Sequence, residues 1–396
     1  MELSLGARRR SLAAVLVSVT IAGIAFGMVT PLISLALNRQ GVDTAVIGLN
    51  TATTSLAILS LGPFVPRLAA RLGVLGSLYL GAAIIVGVLL AFPAWPDLGV
   101  WFALRFLYGF GIALNWIVSE TWVNAIAPER SRGRIIAIYG TLFVSGLAAG
   151  PVVIGLIGDQ GWPPFLVGAA LGAVAAAPLG LARGVAPRLP ARATGGVARS
   201  VRAHPIVMAA ALLGAMSDMS ANALLPLYGL RVGFAEQTAV LLLTAYLVGG
   251  IALQIPLGWA ADRLGRERML FLCATLATLA PLSMALGASA GTAVIWPLVL
   301  VWGGATFGLY TMGLTLVGQR SPPERLAAAN AAFVMSYETG SVSGPSLAGA
   351  AMALWPPHGY PAVLAAVGAL FLVAAGARAL GRRVPPFTPR RGSPRP

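Results

Sequence analysis

The chain has 396 residues, 58% of them hydrophobic and 10% charged, with a formal net charge of +15 and a mean hydropathy of +0.84. A soluble domain carries about 25% charge, and no interior absorbs this much apolar surface, so the solvent for most of the chain is lipid. A single cysteine, Cys273, and two distant histidines, His204 and His358, argue against a disulfide framework and against a metal centre.

Segments of roughly 20 apolar residues can cross a bilayer, and twelve follow one another at 12–36, 46–66, 74–95, 99–121, 134–157, 164–183, 205–229, 237–260, 269–289, 293–317, 327–353 and 361–380. The opening MELSLGARRR resembles the start of a signal peptide. The apolar run behind it is too long and lacks a small-residue cleavage site, so it reads as an uncleaved first span. An even number of spans puts both termini on one side. With the N-terminus inside, the inner segments hold Arg8, Arg9, Arg10, Arg67, Arg71, Arg130, Arg132, Arg134, Arg263, Arg266, Arg268, Arg320 and Arg325; the outer loops hold only Arg39 and Arg231. Arginine gathers on the cytoplasmic side of membrane proteins, so the basic charge follows from topology. It calls for no nucleic acid and favours anionic lipid headgroups.

Landmarks then recur at one offset. Pro31-Leu32 returns as Pro226-Leu227 and PER at 128–130 returns at 323–325, both 195 residues on; the core GxxxGPxxxG at Gly146, Gly150, Pro151 and Gly155 returns at Gly340, Gly344, Pro345 and Gly349, 194 residues on. A duplication with six spans per half makes the repeats parallel. The expectation is an all-α membrane protein of twelve transmembrane helices in two six-helix repeats: a bundle at 1–182, a cytoplasmic linker rich in Arg, Gly and Pro at 183–204, a bundle at 205–380 and a disordered cytoplasmic tail at 381–396. Glycines four apart let a neighbouring backbone approach, and the proline bends the helix. The repeated core is expected to form a close-packed interface that slides.

The motifs resemble those of the major facilitator superfamily along essentially the whole chain. GWAADRLGRER (258–268) matches its loop motif through Gly258, Asp262, Arg263, Gly265 and Arg266. The first-half copy, PRLAARLG (66–73), carries Ala70 where the acid belongs. RFLYGFG (105–111) resembles the family's fourth-helix motif through Arg105 and Gly109, and GxxxGP resembles an element of its proton-coupled exporters. SETWVNAIAPERSRGR is similar to a bacterial YcaD-like branch. The resemblance implies transport by alternating access, with helices 1, 4, 7 and 10 around a central cavity. It implies a cytoplasmic latch at Asp262, Arg263 and Arg266. In the first half, Glu120 is expected to replace the missing acid as an ion-pair partner of Arg67, Arg71 or Arg134.

Ionisable groups at membrane depth are functional candidates. At 1.5 Å per helical residue, Asp218 and Glu338 lie about 20 and about 17 Å above the inner ends of their spans, and Arg105 about 9 Å below the outer end of its own. Burial and a neighbouring arginine pull on a carboxylate's proton in opposite directions, so Asp218 and Glu338 are the candidate proton carriers, with Arg105 tuning one of them. A permanent pair between Arg105 and Asp218 that only holds two helices together is the competing reading. Asn115, Trp116, Ser119, Asn222, Trp302, Thr306 and Tyr310 are candidate cavity residues suited to an amphipathic organic solute. No P-loop, GxSxG, HExxH or Cys-His cluster is present, so neither an enzyme nor a cofactor is expected. The expected activity is proton-coupled export of a small organic solute by a monomer in a bacterial inner membrane. Uptake by a symporter or facilitator, and a non-transporting sensor or scaffold, remain the alternatives.

Overall fold

Lipid offers the backbone no hydrogen bonds, so each apolar segment satisfies its own amides by closing into a helix. The computed structural model describes residues 5–126, 132–182, 197–287, 292–321 and 323–381. Its helices are α1 (Leu5–Arg39), α2 (Thr44–Leu61), α3 (Val65–Ala94), α4 (Leu98–Ile126), α5 (Arg132–Ile157), α6 (Pro163–Ala176) and α7 (Val197–Ala203). The second half holds α8 (Pro205–Arg231), α9 (Glu236–Ala252), α10 (Gln254–Leu264), α11 (Arg266–Gly287), α12 (Thr292–Arg320), α13 (Pro323–Leu354) and α14 (Gly359–Gly381). The first PER motif at 128–130, most of the expected linker (183–196) and nearly all of the expected tail (382–396) lie outside the described residues.

Among the described residues, nine helical runs are long and apolar enough to cross a bilayer, and the pair α9–α10, bent by 40°, makes a tenth. One of the nine, Thr44–Ala94, is 51 residues long, enough for two passes at about 20 residues each. At Gly73 the backbone takes φ 73° and ψ 169°, a region open to glycine and closed to most side chains, and the helix is kinked there. The remaining pass is α13, a 32-residue helix whose Ser, Thr, Tyr and Glu content lowers its hydropathy. It is sheltered between α2 and α8. Counted in this way, the described helices are consistent with twelve passes.

The halves repeat one another in packing as well as in sequence. In the first, α1 packs on α5 and α6, and α3 on α4 and α6. In the second, α8 packs on α13 and α14, and α11 on α12 and α14. Across the seam, α2 meets α13, α5 meets α9, and α1 meets α8. Within the stretch expected as linker, α7 rests on α8 and α13.

The repeated glycine core divides its work differently from the expectation. Gly146 lies on the backbone of Thr20 and Ile24, and Gly150 on that of Gly27 and Met28, inside the first half. Gly340 and Gly344 lie against Leu212 and Met216, inside the second. The third glycine faces the other half: Gly349 meets Thr44 and Gly48, and Gly155 lies beside Gln237. Helical geometry is the reason. Nine residues at 100° each turn the helix by two and a half turns, so Gly349 points opposite to Gly340. The first two glycines fasten each half together, and the third forms the seam.

Candidate functional site

The end of the bundle bearing Arg39 and Glu236 is called outer here, following the arginine asymmetry. There the halves are closed. Arg39, in the last turn of α1, places Nη2 2.5 Å from Oδ1 of Asp159 in its own half and 2.5 Å from Oε1 of Glu236 at the start of α9. Its Nε donates to Oδ2 of Asp159 at 3.0 Å. Asp159 lies in the loop between α5 and α6. Burial, and after it the Glu236 carboxyl beside it, push its own carboxyl up to about 6 against the opposing pull of Arg39. Below this clamp a side chain on Gly48 would collide with the Pro345 carbonyl, and one on Gly349 with that of Thr44.

At the opposite end, no contact of the expected latch crosses between the halves among the described residues. Among the described residues Asp262 pairs with Arg266, one turn away, at 3.6 Å. Arg263 stacks 3.6 Å over the Trp259 ring. Arg266 and Asp262 therefore fasten a turn within one half, and Arg320 pairs with Glu267 in that same half. Glu120 is exposed near the inner end of α4, within reach of the Trp116 indole one turn earlier. Arg71 is exposed, and no ion pair joins it to Glu120. The Arg134 side chain lies outside the described residues.

Between the two ends sit the ionisable groups. Arg105 is fully buried and donates to Oδ1 of Asn50 and Oγ1 of Thr51 on α2, both at 3.2 Å. It thus joins α4 to α2 within the first half, and no ion pair links it to Asp218 or Glu338. The sequence contains the partners but gives no sign of their proximity, because 54 and 55 residues separate them. Asp218, on α8, accepts from the Tyr337 hydroxyl at 2.8 Å and from the Asn222 amide at 3.2 Å. Tyr337 is the residue that sequence reasoning missed, although it directly precedes Glu338. Its ring lies 5.2 Å from that of Tyr310, edge to face. Glu338, 6% exposed, has no hydrogen-bond or ion-pair partner among the described residues. Its carboxyl and that of Glu120 both come within electrostatic range of the Tyr310 hydroxyl.

The cavity candidates fall into two groups. Trp116 and Tyr310 are half-buried, and Trp116 is 6.1 Å from Phe143, which is 6.2 Å from Phe26. The others pack within their halves in this conformation. Asn115 faces Gly81 on α3, Ser119 bonds to the Tyr139 hydroxyl at 2.8 Å, and Asn222 serves Asp218. Trp302 and Thr306 are buried, with Trp302 edge-on to Tyr246 at 4.9 Å.

A polar interior between two like halves, closed at one end and with no clamp across the other among the described residues, is the form of a solute pathway. The model of the family described as Major Facilitator Superfamily matches residues 15–310 and 207–396. The chain belongs to the Major Facilitator Superfamily. This is a superfamily of transporters and not of enzymes, and the chain is a multi-pass membrane protein of it. It is 27% identical over 341 residues to the uncharacterized MFS-type transporter YfkF of Bacillus subtilis (strain 168), covering 84% of this chain and 86% of that one. It is 23% identical over 354 residues to the uncharacterized MFS-type transporter YcaD of Salmonella typhimurium, covering 88% and 91%. The MFS fold is shared with the nucleoside transporter NupG (TM-score 0.75, 15% identity, 94% of this chain and 99% of that one). It is shared also with a D-xylose-proton symporter (TM-score 0.69, 17% identity, 92% and 97%).

Proposed function

We propose that this transporter exports a small organic solute, cationic or polar, across a bacterial cytoplasmic membrane in exchange for protons, as a monomer with both termini in the cytoplasm. The observation that carries the reading is the environment of Asp218. It is 6% exposed, held by two hydrogen bonds, and has no arginine or histidine at ion-pair distance among the described residues. A buried carboxylate needs a compensating charge. With Arg105 engaged on α2, a mobile cation must supply it, and a proton is the one the site accommodates without rearrangement. Glu338, one residue beyond the Tyr337 that binds Asp218, is the second carrier. Release of either proton frees a negative site among Trp116, Tyr310 and Tyr337 for the solute. A structural neighbour is itself named as a proton symporter. The two bundles at 1–182 and 205–380 are the bodies that rock.

The test uses proteoliposomes enclosing a pH dye and an imposed pH gradient, exposed in turn to a panel of organic cations, nucleosides and sugars. A substrate of the wild type should collapse the gradient, and Asp218→Asn and Glu338→Gln should each uncouple it. Gradient-driven flux that survives both changes with unaltered pH dependence refutes the assignment. Flux that ignores the gradient makes the protein a facilitator. Flux in the same direction as the protons makes it an uptake symporter.

A further inference from the structure

Two adjoining hollows lie at the inner end of the second half. The first has a volume of about 750 Å³ and is lined by His204, Pro205, Arg320 and Arg378, among others. These residues stand at the inner ends of α8, α12 and α14. The second, about 220 Å³, runs on from it between α8 and α14, over Ala209, Leu213, Leu370, Phe371 and Ala374. Ile206 and Arg378 belong to both, so the two are continuous. The chemistry changes along their length. The first hollow is cationic, and the first turn of α8 also presents its positive end there. Arg320 shares its charge with Glu267, and the His204 ring exchanges a hydrogen bond with the Ser321 hydroxyl at 3.3 Å. Arg378 is exposed and has no partner among the described residues. The second hollow is apolar and faces outward on the helices at membrane depth, where Leu370 is 69% exposed.

We propose that these hollows form a binding site for an anionic phospholipid of the inner leaflet. Its phosphate lies against Arg378 and Arg320 at the start of α8, and one acyl chain fills the groove between α8 and α14. Charge complementarity selects the occupant. A zwitterionic lipid brings its own cation to a pocket that already holds two arginines, and a free anion leaves the groove unfilled. The site lies apart from the pathway and does not depend on the reading of transport. It bears on α8, the helix that carries Asp218.

The test is retention of lipid by the purified protein in neutral detergent, read by native mass spectrometry and by the thermal unfolding midpoint. The probes are dioleoyl-phosphatidylglycerol, dioleoyl-phosphatidylcholine and inorganic phosphate. Phosphatidylglycerol should be retained and should raise the midpoint, since a ligand of the folded state stabilises it. Phosphatidylcholine and phosphate should do neither. Arg378→Ala should weaken retention by about tenfold, the loss of one charge-assisted contact, and Ala374→Phe should block the groove. Both positions are exposed, so both variants should fold. Arg67→Ala, which removes an arginine from the inner end of the other half, should leave retention unchanged. The proposal fails if phosphatidylcholine is held as well as phosphatidylglycerol, if phosphate alone reproduces the effect, or if Arg67→Ala costs as much as Arg378→Ala.

Discussion

The outer clamp gives the sharpest prediction. Glu236→Gln removes the arm that crosses the seam and leaves Arg39 bound to Asp159. Arg39 and Glu236 are 34% and 46% exposed, and an ion pair that open contributes about 0.2–1 kcal/mol. The ratio of closed to parted outer ends should therefore fall by about 1.4- to 5-fold. The pH response has a definite sign. The Asp159 carboxyl is raised to about 6, by burial first and by Glu236 next. Parting the halves takes Glu236 away, so the parted form holds this proton less tightly. The form with the higher pKa gains as protons are added. The seam should therefore tighten as outer pH falls through about 6, levelling off where the parted form is protonated as well. The ceiling is about tenfold per pH unit; the burial that persists after parting keeps the response to a few-fold. The assay is reaction of Thr44→Cys, buried beside Gly349, with a membrane-impermeant maleimide in right-side-out vesicles. The background is Cys273→Ala, and each rate is divided by that of exposed Gln40→Cys at the same pH. Normalised labelling should slow from pH 7 to pH 5, and Glu236→Gln should flatten that slope. Labelling that quickens in acid, or a slope indifferent to Glu236→Gln, would refute the reasoning.

Three further outcomes follow from the packing. Gly150→Leu should lower the thermal midpoint of the purified protein, by the equivalent of about 1–3 kcal/mol or more, as overpacking does, because a side chain there meets the Gly27 backbone; a stable Gly150→Leu that merely fails to transport would restore the sliding role to that residue. Gly349→Val should fold normally yet speed the Thr44→Cys labelling, since it props open the seam and no contact inside its half. Arg105→Lys loses the fork that reaches Asn50 and Thr51 and should cost about 1.5–3 kcal/mol of stability with the pH profile of transport unmoved; a shifted profile would mean that Arg105 acts on a proton site after all.

Much of this protein was legible in its sequence because lipid leaves so few choices. Hydropathy and length dictate helices, and an offset of 195 residues between Pro31 and Pro226 and 194 between Gly146 and Gly340 dictates two like halves. Even the direction of Gly349 follows from counting nine residues along a helix. The partners of the buried polar groups did not follow. Arg105 stands at a height similar to that of Asp218 and Glu338, but height along a helix says nothing of which way a side chain turns. The fold turns it onto Asn50 and Thr51. Tyr337 reaches Asp218 across 119 residues, and Arg39 meets Glu236 across 197. Both contacts exist only because helices from distant parts of the chain are brought to one level. Propensity and hydropathy are local quantities, and hydrogen bonds between helices depend on the rotation of each helix about its axis. That rotation is set by where backbones can touch, at Gly150 on Gly27 and at Gly349 on Gly48, and so only the assembled bundle decides it.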